Sequence, residues 1–311
     1  MSRYLVTGGA GFIGSHLVAR LLGEDHEVIV LDDFSTGSQQ NLGASDGRLR
    51  VVEGCITRTE DLSPAMQGVD GLFHLAALPS VARSVQAPLE THDINANGSI
   101  LVLDQARLAG IKVVYAGSSS AYGDQQQGLK SESLREAPLS PYAASKLAGE
   151  LYCRSFARVY DLPVVITRFF NVFGPRQVPD SPYSGVIAAF CLALLRDQAP
   201  RIDGDGRQSR DFTYVDDVTR ALILAMQQNL PGGTILNIAG GQRHDLLELL
   251  KILQDCSGCQ REPVFGPARR GDIRHSQADV SRARDLLGFR SEVGFREGLE
   301  RTYDWYRRTY S

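Results

Sequence analysis

Lysine is scarce in this chain of 311 residues: Lys112, Lys130, Lys146 and Lys251 are the only four among 33 basic residues. Cysteine is also sparse. Its five copies form no regular framework, and Cys256 and Cys259 make a lone CxxC with no second pair or histidines at ligand spacing, which argues for structural thiols over a zinc or redox site. No apolar run reaches the ~18 residues of a membrane span. Met1-Ser-Arg leads into a short apolar strand and then glycines, unlike a signal peptide. The net charge of −3 leaves no overall basic footprint for nucleic acid. Internal repeats and low-complexity segments are absent, which excludes repeat arrays. These features describe a cytoplasmic globular protein with one large or two coupled domains, 43% hydrophobic and 22% charged.

Glycine is placed where it has consequences. Tyr4–Thr7 reads as a buried strand, Gly8-Gly-Ala-Gly-Phe-Ile-Gly14 follows, and Ser15–Leu22 has a helical pattern. A strand, a turn free of side chains and a helix N-terminus together form a dinucleotide cradle, because free N–H groups and the helix dipole favour a pyrophosphate. The next strand, Glu27–Leu31, ends at Asp32-Asp33. An acid there bonds the adenosine ribose diol and repels a 2′-phosphate, favouring NAD over NADP.

Strands at Leu49–Glu53, Gly71–Leu75 and Val113–Ala116 alternate with helical patterns near Asp61–Met66 and Asn95–Ala109. That alternation predicts a parallel sheet covered on both faces. His74 ends one strand and is expected to be a satisfied structural histidine. Val113–Ala116 runs into Gly117-Ser-Ser-Ser-Ala-Tyr-Gly123, a serine cluster able to bond a substrate oxygen. Ser140-Pro141 opens a helix that runs to about Tyr160, with serine as N-cap and proline in the first turn.

Tyr142 and Lys146 then lie one turn apart on one face. Composition alone gives about 0.14 such Tyr–Lys pairs in the whole chain. A cation beside the phenol is expected to lower its pKa and make Tyr142 a proton acceptor at neutral pH. After a further strand, Leu162–Thr167, Arg168-Phe-Phe-Asn-Val-Phe-Gly-Pro-Arg176 leads into a proline-rich loop of a kind that often binds substrate. Arg168, Arg176, Arg210, Arg269 and Arg274 are candidates for clamping phosphates through the guanidinium fork.

Thr7–Gly14, Asp32, Ser118–Gly123, Tyr142–Lys146, Arg168–Pro175, Ser209–Phe212 and Arg269–Asp279, in this order, resemble the extended short-chain dehydrogenases/reductases. Within these the chain is similar to the NAD-dependent nucleotide-sugar epimerase/dehydratase group. The resemblance spans nearly the whole chain and implies an α/β fold: a Rossmann doubly wound parallel sheet with a smaller C-terminal α/β substrate domain. Residues 1–170 and 213–238 would form the NAD domain, and 171–212 and 239–311 the nucleotide-sugar domain. It implies NAD contacts at Gly8, Gly11, Phe12, Ile13, Gly14, Asp32, Asp33, Ile56, Leu75, Ala76, Ala77, Lys146 and Phe169, and no metal. It makes Ser118, Tyr142 and Lys146 catalytic. Dehydratases of the group carry Asp-Glu after the catalytic serine and decarboxylases a glutamate; Ser119 and Ser120 stand there instead, which points to an epimerase.

The resemblance is greatest to UDP-hexose 4-epimerases, particularly those of UDP-N-acetylglucosamine. It implies substrate contacts at Ser119, Asn171, Gln177, Gly185, Val186, Arg210, Arg269, Asp272 and Ser276. The small Ser276 would leave room for an N-acetyl group. Two departures are Cys55, where the family usually has aspartate against the adenine, and Pro79, where glycine or lysine is common. UDP-glucose could be turned over too, or be the sole substrate. A uronate 4-epimerase would need a cation beside the sugar carboxylate, for which Arg83 and Arg274 are available. A non-catalytic NAD sensor would have no use for Ser118, Tyr142 and Lys146 together. The family and the apolar faces of the Asn95–Ala109 and Tyr142–Tyr160 helices imply a homodimer through a four-helix bundle.

Overall fold

A computed structural model describes residues 1–43, 47–125, 129–178, 185–268 and 274–310. Seven strands, β1 (Arg3–Thr7), β2 (Glu27–Asp32), β3 (Leu49–Glu53), β4 (Gly71–His74), β5 (Lys112–Ser118), β6 (Val164–Phe169) and β7 (Thr234–Ile238), form one parallel sheet. Their spatial order is β7-β6-β5-β4-β1-β2-β3. The order reverses at β1, where open α/β sheets leave a crevice at the carboxyl ends of the strands. Strand interiors such as Val113–Ala116 are buried on both sides, as continuous apolar runs in a covered sheet require.

Five helices are used below: α1 (Phe12–Gly23), α2 (Gly98–Ala109), α3 (Pro141–Tyr160), α4 (Val186–Leu195) and α5 (Val215–Gln227). One core packs Leu17, Val18 and Leu21 of α1 and Val218 and Leu222 of α5 against one face of the sheet. The opposite core packs Val102, Leu103 and Ala106 of α2 and Cys153 of α3 against the other. Gly149 lets α3 approach β5 closely, because a Cβ there would run into the Tyr115 hydroxyl.

A third core holds Ile187, Phe190 and Leu194 of α4 together with Leu249, Leu253, Leu299 and Tyr306 from the C-terminal third. Beside it, Leu129–Lys130, Ser209–Asp211, Arg243–Asp245 and His275–Ala278 form a small mixed sheet. Asp211, fully buried, binds this layer together: its carboxylate accepts from the amides of Gly241 (3.1 Å) and Ala278 (3.1 Å). Burial pushes its pKa up to about 7 against the pull of those amides. Among the described residues, no helix is long and apolar enough to cross a membrane.

Candidate active site

The glycine turn is built by close approach. Gly8 has φ +70°, and a Cβ on it would lie 2.7 Å from the Ala76 backbone. A Cβ on Gly14 would strike the Gly8 carbonyl. Helix α1 therefore starts directly over the end of β1. Its N-cap, Gly11, offers no side chain to the first amides, so they are free for an anion. At the end of β2, Asp32 accepts from the amides of Ala10 (2.8 Å) and Phe34 (2.9 Å). Burial raises its pKa, those amides oppose the shift and Asp33 adds to it.

One cleft runs from this turn to Tyr142. Its walls include Gly8, Gly11, Phe12, Ile13, Gly14, Asp32, Asp33, Ile56, Leu75, Ala76, Ala77, Lys146 and Phe169, all thirteen positions expected at the cofactor. Cys55 and Pro79 line it too, as do Ala116 and Gly117, which the sequence did not single out. The last two were legible in principle, since they end a central strand where ligands gather. An absent Cβ where the backbone must pass, bare helix amides and a fixed carboxylate beyond them suit a dinucleotide.

At the far end of the cleft the Ser140 hydroxyl accepts from the Ala143 amide (3.1 Å) and caps α3, a contact that contributes ~1 kcal/mol. It places Tyr142 in the first turn. The Ser118 hydroxyl stands beside the Tyr142 phenol and favours its charged form. The Ser118 hydroxyl also lies 2.8 Å from that of Ser120, so Ser120, notable in the sequence only for not being an acid, joins the relay. Ser118 is the last residue of β5 and pairs with Phe169 of β6, which puts both at the carboxyl edge.

The Lys146 ammonium lies 4.5 Å from the Tyr115 ring centroid, in a side chain only 4% exposed. Burial brings its pKa down to about 8, and Cys153 and Glu150 pull the other way; at pH 7 it remains a cation. Tyr142 does not follow the sequence expectation. Burial pushes its pKa up, the Ser118 hydroxyl pulls it back, and the net shift is upward. Desolvation of the phenolate outweighs the help from the Ser118 hydroxyl. His74 is the structural group expected: it bridges the hydroxyls of Thr7 (2.8 Å) and Ser99 (3.0 Å), and burial, aided by the Lys146 charge, holds it neutral with a pKa of about 3.

Arg168 is no phosphate clamp. It is fully buried beneath α3, donating through Nε to Glu150 (2.9 Å) and through Nη2 to Glu150 and Glu136 (2.8 Å to the latter), with its guanidinium 4.5 Å from the Tyr122 ring centroid. Arg176 points a buried, unpartnered Nη1 inward, and burial lowers its pKa. Both arginines considered for a uronate carboxylate are engaged by acids of the chain itself. Arg83 pairs with Glu90 (2.7 Å) and Arg274 with Asp205 (2.8 Å).

The expected substrate positions fall into local pairs. Asn171, at φ +32°, donates to the Asp211 carbonyl (2.8 Å). Arg210 and Ser276 are register partners in the small sheet. Gly185 caps α4 ahead of Val186, and a Cβ on Gly185 would lie 3.1 Å from the Gln177 amide nitrogen. Ser119 opens the short turn after Ser118. Arg269 and Asp272 lie outside the described residues. Among the described residues, no group of three or more His, Cys, Asp or Glu is arranged to hold a metal.

The sequence matches the NAD dependent epimerase/dehydratase family over residues 4–239. The chain belongs to that family. Its cofactor is NAD. A curated relative, UDP-glucose 4-epimerase of Mycolicibacterium smegmatis, is 40% identical over 98% of both chains. Among solved structures, UDP-glucose 4-epimerase of Thermotoga maritima with UDP-glucose superimposes with a TM-score of 0.94 at 36% identity, over 99% of this chain and 100% of that one. UDP-N-acetylglucosamine 4-epimerase of Methanobrevibacter ruminantium, in complex with UDP-N-acetylmuramic acid, also has a TM-score of 0.94, at 38% identity over 98% of each chain.

Proposed function

We propose that this protein is a UDP-hexose 4-epimerase acting on UDP-N-acetylglucosamine and UDP-N-acetylgalactosamine, and also on UDP-glucose and UDP-galactose. The observation that carries the reading is Tyr142 and Lys146 together in the wall of the cleft, with Ser118 beside the phenol and no acid at 119 or 120. In this reading the thirteen cleft positions hold NAD, and Asn171, Gln177, Gly185, Val186, Arg210, Arg269 and Asp272 anchor the UDP-sugar, with Ser119 and Ser276 against the sugar. The division at residues 170, 212 and 238 puts the sugar between the two layers.

Tyr142 takes the proton of the sugar 4-hydroxyl, and Ser118 bonds the same oxygen. NAD, when bound, supplies the hydride acceptor at carbon-4 and then the donor, by way of a 4-keto sugar. Lys146 bonds the nicotinamide ribose and stabilises the phenolate once the site is charged. Without an acid next to Ser118, neither elimination nor decarboxylation has its proton-transfer group. Ser276 is small, and in this reading it leaves space for an N-acetyl group. A wide pocket also admits the smaller sugar, because a missing contact costs only modestly.

The test is to incubate the purified protein separately with UDP-N-acetylglucosamine, UDP-glucose and UDP-glucuronate, without added NAD, and to separate the products. A 4-epimer of the first two is expected; none from any of the three would end the proposal. Ser276→Tyr should lose the acetylated substrate selectively, by tenfold or more on the ~1–3 kcal/mol scale of pocket discrimination. Equal loss on both sugars would remove Ser276 as the gatekeeper.

A homodimer through α2 and α3 is part of the same reading. Its support is the run of exposed apolar side chains on these helices: Leu108, Leu151, Tyr152, Val159 and Tyr160. Sedimentation should give the mass of a dimer; a monomer at micromolar concentration would overturn this part.

A further inference from the structure

Lys130 is one of only four lysines, and the proposed reaction leaves it without a role. It is 2% exposed, and its ammonium donates to the Gly123 carbonyl at 3.1 Å. Strand register fixes its direction. Lys130 pairs with Ala278, Ala278 stands two residues after Ser276, and Ser276 pairs with Arg210. Partners across a parallel ladder and residues two apart along a strand point to the same face. Lys130, Ser276 and Arg210 therefore share one face of the small sheet. Ala278 on that face packs with Tyr122 and Phe170, so the face looks toward the serine loop.

The loop it meets is tightly closed. Gly123 has φ +63°, and a Cβ there would collide with the Ala137 carbonyl. The Gly123 amide donates to the Ser120 carbonyl (3.2 Å), and the Ser120 hydroxyl lies 2.8 Å from that of Ser118. A continuous path of bonds thus runs from the Lys130 ammonium through Gly123 and Ser120 to Ser118. On its own side, the Lys130 carbonyl is held by Asn237 (2.9 Å), whose Oδ1 accepts from the Tyr122 hydroxyl (2.6 Å).

We propose that Lys130 is a positioning residue: it fastens the loop presenting Ser118 to the sheet that carries Arg210 and Ser276, and so holds the serine in register with the bound sugar. The inference rests on the proposed 4-epimerase reading and adds a specific support to it. Burial foremost, and then the Arg210 charge, bring the Lys130 pKa down to about 8, with Asp124 opposing them.

The experiment uses the full-length protein and Lys130→Met, Lys130→Gln and Lys130→Arg. Small misplacement of a catalytic group costs rate rather than binding, on a scale that reaches ~100-fold. Lys130→Met should therefore lower kcat for UDP-N-acetylglucosamine about tenfold with KM within threefold, and Lys130→Arg should keep at least about half the activity. Hydrogen exchange of the 119–123 amides should quicken at least about fivefold in Lys130→Met and stay near wild type in Lys130→Arg. If Lys130→Met does not fold, Lys130→Gln takes its place. Unchanged exchange at 119–123 overturns the proposal. So does a raised KM at unchanged kcat, which would make Lys130 a direct anion contact. A wild-type protein that forms no 4-epimer defeats the 4-epimerase reading instead, and the exchange comparison still decides on Lys130.

Discussion

Tyr142→Phe is expected to lower kcat about a thousandfold while leaving the melting temperature within a few degrees. General acid–base catalysis typically supplies ~10²–10⁴-fold, and in this reading the phenol is the sole group that moves the proton of the sugar 4-hydroxyl. Phenylalanine keeps the ring and removes only the phenol oxygen, which stands beside Ser118. The upward pKa shift of Tyr142 makes the effect more informative. Burial disfavours the phenolate, and in this reading the charge of a bound nicotinamide would favour it. Ser118→Ala should cost less, since it removes a hydrogen bond and not the proton acceptor. Product formation by Tyr142→Phe above about a tenth of the wild-type rate would transfer the base to another group; general acid–base catalysis sets that threshold.

The second large effect is on stability. Arg168→Met should destabilise the fold by about 3–5 kcal/mol, the usual cost of stripping one partner from a buried ion pair, because it leaves Glu150, 1% exposed, charged and unpaired. At roughly 2–4 °C per kcal/mol for large domains, calorimetry should record a drop of about 10 °C. Adding Glu150→Gln should restore part of it, since the double variant no longer buries a lone carboxylate. A drop of only a degree or two in the single variant would show that Glu150 takes up a proton or finds another donor once the arginine is gone. Lys146 sits one turn before Glu150 on α3, the helix that also carries Tyr142.

What could be read from the sequence divides along physical lines. The glycine turn, Asp32, the strand ending at Ser118 and the Ser140-Pro141 start of α3 are local: neighbouring residues decide each of them. The α3 helix begins at Pro141 and ends at Tyr160, as its cap and pattern predict. The small mixed sheet escaped because its strands are two to four residues long and paired across large separations, with Lys130 beside Ala278. No window of a sequence that short carries a period. Arg168 was misread for the same reason. A guanidinium in a polar-looking segment suggests phosphate until its partners are known, and those are Glu150 and Glu136, 18 and 32 residues away. The Tyr142 shift was misjudged because spacing places a lysine one turn away but does not report the cost of burying a phenolate.

The side chain of Asn237 at the sheet's edge has a consequence for how the protein comes into being. Tyr122 reaches it across 115 residues and Lys130 across 107. A chain emerging from the ribosome can form the glycine turn and pair β1, β2 and β4 long before β7 has been translated. The loop bearing Ser118 lacks this anchor until the last quarter of the polypeptide has been made. Such distant contacts form slowly, because loop closure must come before any gain from them. The serine loop therefore gains this tether late in biogenesis, and a chain truncated before residue 234 would lack it.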